Sequence, residues 1–259
     1  MSEPHLPTGF VRFRVGTTDV VAHRHAADGF RAALAAGTLY KYAEQHPEAR
    51  PLRGRGVVYA VPLPGDAESV VVRHNHHGGM FAAITRDVFP PPTRAPHELL
   101  TSERLRRRGV PTPAMLGYAL YPAGPLLRRV DVVTREVRNA FDLSAAITSP
   151  DAELRTAALH ATGRLVRRLS EAGARHRDLN VKNVLLAEDG DGALRALVLD
   201  VDRVVFPEDR TNILTLNLAR LFRSARKWRD EHGAKVTESE LRELARAARA
   251  QPASARTRS

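Results

Sequence analysis

The sequence predicts an α+β chain of two lobes, a β-rich N-terminal lobe and a helical C-terminal lobe. Three observations lead there. Short β-branched runs between Gly and Pro turns mark the first half, at residues 57–61 and 70–73. In the second half Leu154, Ala158, Ala161, Leu165 and Leu169 recur at helical spacing. A polar run, His176-Arg177-Asp178-Leu179-Asn180-Val181-Lys182-Asn183, lies between that helix and a two-stranded hairpin. At 259 residues the chain is long enough to bury a sizeable core and suits one two-lobed unit better than an array.

Residues 10–15 alternate apolar and polar as a short strand does. Asp28 is expected to cap one helix running to about residue 44, closed by Pro47. Arg53-Gly54-Arg55-Gly56 precedes the strand at 57–61, and Pro62-Leu63-Pro64-Gly65-Asp66 turns the chain into the strand at 70–73. Residues 95–108 read as a helix stopped by Gly109, with Pro111 and Pro113 beyond it. Residues 131–137 read as a strand entering a hinge. This places the lobe boundary within 131–140 and gives lobes of 1–133 and 134–250, followed by a poorly ordered basic tail at 251–259.

Ser149-Pro150-Asp151 opens the long helix with Pro at its first position, and Gly173 ends it. Residues 184–186 and 193–199 are strands joined through Glu188-Asp189-Gly190-Asp191-Gly192, the Asp-Gly chemistry of a tight hairpin. A helix over 211–228 follows. The capping box Thr237-Glu238-Ser239-Glu240 opens the last helix, with Leu241, Leu244, Ala245 and Ala248 facing inward.

Composition narrows the partners. Lys+Arg of 40 against Asp+Glu of 29 leaves a net charge of +11, which favours anionic surfaces. With no cysteine there is neither a disulfide framework nor a thiol nucleophile. The N-terminus has no basic-then-apolar leader, and no apolar stretch approaches the ~20 residues that span a bilayer. The expectation is a soluble intracellular protein.

The run 176–183 reads H-R-D-L-x-x-x-N, which resembles the catalytic loop of the protein-kinase-like phosphotransferases. In that pattern Asp178 takes the proton of the acceptor hydroxyl and Asn183 holds a magnesium ion. Seventeen residues after Asn183, an apolar run ends in Asp200, where a kinase places its second metal-binding acid. Mg²⁺ takes oxygen ligands and bridges the phosphates of ATP, so an amide oxygen and a carboxylate suit it. Lys182 is placed to neutralise charge on the transferring phosphoryl group. His176 is expected to fix the loop backbone rather than carry a proton. In the first lobe, Gly54 and Gly56 are expected to let the backbone approach the phosphates. Arg73, at the end of the next strand, is expected to grip them, and Glu98, in the first turns of the next helix, to pair with it.

With these pieces placed, the chain resembles the lipopolysaccharide kinase family of the Kdo/heptose type, bilobal relatives of the protein kinases. The resemblance rests on Gly54-Arg55-Gly56, Val72-Arg73-His74 with Gly78-Gly79, and Gly109-Val110-Pro111-Thr112-Pro113. It continues in Asp178-Leu179-Asn180 through Leu186, in Leu199-Asp200-Val201-Asp202-Arg203 and in Leu216-Asn217-Leu218-Ala219-Arg220-Leu221. It implies ATP-dependent phosphorylation of the 4-hydroxyl of a 3-deoxy-D-manno-octulosonate (Kdo) residue. The acceptor would be a lipid A precursor at the cytoplasmic face of the inner membrane, with ATP and Mg²⁺ as cofactors and the anionic membrane as a partner.

Three departures from the protein-kinase pattern matter. The strand cation is Arg73 rather than Lys, Asp-Phe-Gly is replaced by Asp200-Val201-Asp202, and no peptide-docking segment intervenes before the helix near Thr211. The last argues for a sugar or lipid acceptor over a protein. A small-molecule kinase of the aminoglycoside or choline type is the nearest alternative, and the charge of +11 counts against it. A nucleic-acid-binding module leaves the Asp178, Asn183, Asp200 set unexplained and has few aromatics for stacking, at 5%. A catalytically dead scaffold would not need that set. His74, His76 and His77 follow a strand without a second cluster at zinc-ligand spacing, so no metal is assigned to them.

Overall fold

The computed structural model describes residues 6–53, 56–75 and 87–250. The chain packs as two compact units, Met1–Arg104 with Pro113–Glu136, and Leu105–Thr112 with Val137–Ser259. Leu105–Thr112 groups with the second unit because Leu105 and Val110 are buried in its core.

The first unit is built on seven antiparallel strands: β1 (Phe10–Val15), β2 (Thr18–His23), β3 (Arg50–Arg53), β4 (Val57–Pro62), β5 (Ser69–His74), β6 (Met115–Pro122) and β7 (Arg128–Arg135). Their order is β1-β2-β6-β7-β5-β4-β3. Among the described residues three α-helices accompany them: α1 (Ala27–Leu34), α2 (Leu39–Gln45) and α3 (Ala95–Arg107). Both faces of the sheet are covered, which explains runs of consecutive apolar residues in place of clean alternation. Val20, Ala22, Val70, Val72 and Val133 pack with Phe30, Ala33 and Leu39 of α1 and α2. The alternate positions Val21, Val130 and Val132 pack with Ala95 and Leu99 of α3.

The single helix expected from Asp28 is two helices. Asp28 lies in the first turn of α1 and pairs with Arg31, while Thr38 caps α2 by accepting from the Lys41 N–H. The break is stabilised by distant groups. The Leu39 N–H donates to the Tyr121 hydroxyl at 2.9 Å, and the Tyr40 N–H donates to Asp131 Oδ2 at 2.9 Å.

Asp131 is the hub of a network that sequence reading passed over. It is 0% exposed, accepts the Tyr121 hydroxyl at 2.8 Å, and pairs with His74 Nδ1 at 2.5 Å. The other nitrogen of His74, Nε2, faces Asp87 at 3.2 Å, and Arg129 binds the same Asp87 oxygen at 2.7 Å. Burial opposes charge on the His74 ring, but the bonds and charges of Asp131 and Asp87 outweigh it and its pKa is raised. The pair therefore contributes its full stability below the unfolded His value of about 6.5, and loses it as pH rises through the higher folded value. Asp131→Asn is expected to reduce that fall in denaturation curves taken across neutral and alkaline pH, Asp87 remaining beside the ring, and to destabilise by about 3–5 kcal/mol at low pH. An unchanged pH profile would show that the pair is not ionic. The histidines expected beside it, His76 and His77, lie outside the described residues, as do Gly78 and Gly79.

The second unit holds α4 (Leu143–Thr148), α5 (Ala152–Glu171), α6 (Ile213–His232) and α7 (Glu238–Arg249) around two small sheets. One sheet is ordered β11 (Leu194–Val198), β10 (Val184–Glu188), β8 (Phe141–Asp142), and the other pairs β12 (Val204–Val205) with β9 (Arg175–His176). Pro150 is not the first helical residue of α5. Asp151 caps that helix by accepting from the Glu153 and Leu154 N–H groups, which puts Pro150 one residue outside the cap. The helix is buried on a wider arc than its sequence stripe suggested, with Leu159, Thr162 and Val166 also inside. Gly163 permits this, since a Cβ there would meet Ala247 Cβ and Leu244 O of α7 at 2.7 Å. At Gly173, φ is +68°, a left-handed turn that ends the helix and releases the chain into β9. The capping box of α7 forms as expected, and Leu241, Leu244, Ala245 and Ala248 are buried.

Candidate active site

The loop 176–183 is fixed to its surroundings almost atom by atom. The His176 N–H donates to Asn217 Oδ1 at 3.0 Å, and Asn217 Nδ2 donates to the Ala174 carbonyl at 3.0 Å. The His176 ring accepts the Asp178 N–H on Nδ1 at 3.1 Å and donates from Nε2 to the Leu199 carbonyl at 2.9 Å. This bonding pattern needs one lone pair and one N–H, hence a neutral ring. Burial lowers the ring's pKa, though the Leu199 carbonyl and nearby acids oppose it. His176 is thus a structural tie between two segments and cannot carry a proton without breaking one.

Asn180 caps the 3₁₀ turn Val181–Asn183 by accepting the Lys182 and Asn183 N–H groups. Asn183 is 5% exposed, and its Nδ2 donates to the Asp178 carbonyl at 2.9 Å. The carbonyl oxygen can only accept, so this bond assigns the amide orientation and commits Oδ1 to an acceptor role. The Asn183 backbone carbonyl accepts the Leu199 N–H at 2.9 Å, which brings the end of β11 and Asp200 alongside the loop. Asp200 has φ +49° and ψ +47°, a left-handed conformation for a residue with a side chain. Such positions cost of order 1–3 kcal/mol and mark places where function overrides comfort. The next three residues form a 3₁₀ turn, and the Arg203 carbonyl accepts the Arg177 N–H at 3.0 Å.

Asn183 and Asp200 thus supply a neutral oxygen donor and a carboxylate held by one backbone hydrogen bond. This donor set fits Mg²⁺, which takes one or two protein oxygens and completes its shell with phosphate and water. Among the described residues no group of three or more His, Cys, Asp or Glu forms a metal cage. A two-ligand site of this kind does not require one.

Lys182 is half exposed and has partners of its own. Its Nζ donates to Asp142 Oδ2 at 2.9 Å and lies 5.2 Å from the Trp228 ring centroid. Asp142 also caps α4 through Oδ1, which accepts the Ala145 N–H. The Asp142 bond uses one of the three N–H donors of the ammonium.

In the first unit, Arg73 and Glu98 meet as expected. Both bonds run from one guanidinium nitrogen, Nη2, to Glu98 Oε1 at 2.6 Å and Oε2 at 2.9 Å. Glu98 is buried and also sits in the first turn of α3, where the helix dipole favours an acid. Removing either partner is expected to weaken nucleotide binding about tenfold, with Arg73→Lys less damaging than Arg73→Ala because a single nitrogen serves the pair. Isothermal titration with ATP checks this, and a silent Glu98→Ala reduces Glu98 to a helix-end acid. Strands β3 and β4 pair with Arg53 opposite Val57. Gly56 is exposed just before β4, while Gly54 lies outside the described residues.

The profile of the lipopolysaccharide kinase (Kdo/WaaP) family matches residues 45–247. The chain belongs to that family. Among curated members, a 3-deoxy-D-manno-octulosonic acid kinase of Stenotrophomonas maltophilia is 31% identical over 214 residues, covering 80% of this chain and 82% of the relative. One from Actinobacillus succinogenes is 30% identical over 199 residues, covering 74% and 80%. One from Xanthomonas campestris pv. campestris is 32% identical over 200 residues, covering 75% and 76%. A solved structure described as WaaP in complex with acyl carrier protein superposes with a TM-score of 0.52. It covers 86% of this chain and 87% of its own at 19% identity, a likeness of fold alone. As a lipopolysaccharide kinase, the chain is a phosphotransferase acting on a sugar hydroxyl. The α+β kinase-like fold stands with it.

The functional residues that sequence reading missed lie on α6. Arg220 binds Asp178, Ser224 binds the Val181 N–H, and Trp228 faces Lys182. Part of the signal was in the stretch 216–221, whose Asn217 and Arg220 share one helical face with Ser224 and Trp228 beyond it.

Proposed function

We propose that this lipopolysaccharide kinase transfers the γ-phosphoryl group of ATP to the 4-hydroxyl of a Kdo residue on a lipid A precursor. The observation that carries the reading is the bond from Asn183 Nδ2 to the Asp178 carbonyl. It ties Asn183, which would offer a metal its amide oxygen, to the backbone of Asp178, the residue proposed as base, within one loop. The acceptor oxygen forms a bond to the γ-phosphorus, its proton passes to Asp178, and the bond from the γ-phosphorus to the β,γ-bridging oxygen breaks to release ADP. Mg²⁺, when bound, neutralises charge on the β- and γ-phosphates. Asn183 and Asp200 are the residues that would hold it. Arg73, oriented by Glu98, grips the α- and β-phosphates. The stretch between β12 and α6, residues 206–212, is too short for a peptide-docking segment, which supports a sugar acceptor.

Phosphate transfer from labelled ATP tests the acceptor, with Kdo-bearing lipid A precursor, heptosylated core and a generic protein compared side by side. Label on the Kdo acceptor is expected. Label only on the heptosylated core would shift the assignment to a heptose kinase, and label on neither would overturn it.

The net charge of +11 supports a peripheral station on an anionic bilayer. Among the described residues no helix is long and apolar enough to cross a membrane. Each basic group near such a surface contributes about 1 kcal/mol, screened over about 8 Å at physiological salt. Sedimentation with anionic vesicles at low salt and release as salt rises is the expected result. Equal binding to neutral vesicles would contradict it.

A further inference from the structure

We propose that Arg220 of α6 is a positioning residue for Asp178, aiming its carboxylate at the acceptor hydroxyl. This rests on the reading of Asp178 as the group that takes the hydroxyl proton. Arg220 Nη2 donates to Asp178 Oδ1 at 2.7 Å. Neither the catalytic-loop motif nor the reading of its chemistry gave this arginine a task.

The contact is one of an ordered row. Asn217, Arg220, Ser224 and Trp228 fall within a stripe about 80° wide on a helix of 3.6 residues per turn. They meet the loop in chain order. Asn217 holds the His176 N–H, Arg220 the Asp178 carboxylate, Ser224 Oγ the Val181 N–H at 3.2 Å, and the Trp228 ring the Lys182 ammonium. The helix therefore lies beside the loop as a straight edge and sets it at four points. Two of these fix backbone groups, one fixes the cation, and Arg220 fixes the reactive side chain.

What Arg220 adds is distinct from what the loop already provides. The backbone of Asp178 is held by others, its N–H by His176 Nδ1 and its carbonyl by Asn180 Nδ2 and Asn183 Nδ2. Those bonds place Cα but leave rotation about χ1 and χ2 of the side chain. The arginine restricts that rotation with a charge-assisted bond. Arg220 and Asp178 are 43% and 31% exposed, so the contact contributes little to folding, and its loss is expected to appear in the rate.

The test is a cycle of Arg220→Gln, Asp178→Asn and the double variant in the full-length protein, with ATP and a Kdo-bearing acceptor as substrates. Arg220→Gln is expected to lower kcat about tenfold to a hundredfold, the scale on which misplacement of a reacting group acts, with both KM values within about twofold. In the Asp178→Asn background the same change is expected to cost nothing further, because its only route to the reaction is through that carboxylate. Arg220→Lys, which keeps the charge, is expected to recover part of kcat, and it carries the test if the Gln variant melts early.

Wild-type kcat in Arg220→Gln, or an undiminished further loss in the double variant, overturns the proposal. So does a Lys variant that changes only the acceptor KM, since that would make Arg220 an acceptor-binding group. Asp178→Asn with wild-type turnover would instead remove the base assignment itself, so the two failures are told apart.

Discussion

Asp178→Asn is expected to fold as the wild type and bind ATP with little change, yet to lose about 10²- to 10⁴-fold in turnover, the usual contribution of a positioned general base. The geometry makes the variant a clean one. The backbone bonds of residue 178, its N–H to His176 Nδ1 and its carbonyl to Asn180 and Asn183, do not involve the side chain and survive the change. An amide oxygen still accepts from Arg220. What is lost is the capacity to take a proton. Stopped-assay kcat, with ATP affinity measured separately by calorimetry, checks the prediction, and near-wild-type kcat would remove Asp178 from the chemistry.

Asp200→Ala is expected to abolish the Mg²⁺-dependent part of nucleotide affinity while leaving metal-free nucleotide binding close to wild type. A carboxylate is the charged half of the proposed donor pair, and Asn183 alone offers Mg²⁺ only a neutral oxygen. The backbone supplies a control. Asp200 sits at φ +49°, which alanine tolerates no better and glycine adopts readily. Asp200→Gly is therefore expected to match or exceed the wild-type melting midpoint while losing Mg·ATP binding as fully as Asp200→Ala. Titration calorimetry with and without Mg²⁺ reads the first effect, and thermal melts read the second. Unaltered Mg·ATP binding in either variant would contradict the metal role, and a lower midpoint for the glycine variant would contradict the strain.

The sequence was most legible where function depends on residues near one another in the chain. The loop 176–183, the hairpin behind it and Asp200 follow from local spacing, and the structure joins them through the Asn183 carbonyl and the Leu199 N–H. Helix ends with a local signal, Gly173 and the Thr237 box, also form as read. The misread helix and the partners that were missed share a cause. The helix expected to run from Asp28 breaks because Tyr121 and Asp131, 82 and 91 residues away from their partners, take the N–H groups of Leu39 and Tyr40. The partner of Lys182, Asp142, is 40 residues distant, and Arg220 is 42 residues from Asp178. Periodicity carries no information at such separations. One long-range signal was in view, since an acid inside the apolar run Val130-Asp131-Val132-Val133 needs a buried partner. It received His74, the Tyr40 N–H of α2 and the Tyr121 hydroxyl.

The role proposed for the loop bearing Asp178 is transfer of phosphate to a Kdo hydroxyl. It is tested most directly by a single-turnover reaction of enzyme, Mg·ATP and Kdo-bearing lipid A precursor, with the product examined by ³¹P–¹H correlation NMR. The expected product is one phosphomonoester, its phosphorus coupled to the proton on C4 of Kdo, formed by the wild type and absent with Asp178→Asn. A phosphate coupled to a different sugar, or the same product formed at wild-type rate by Asp178→Asn, would contradict it.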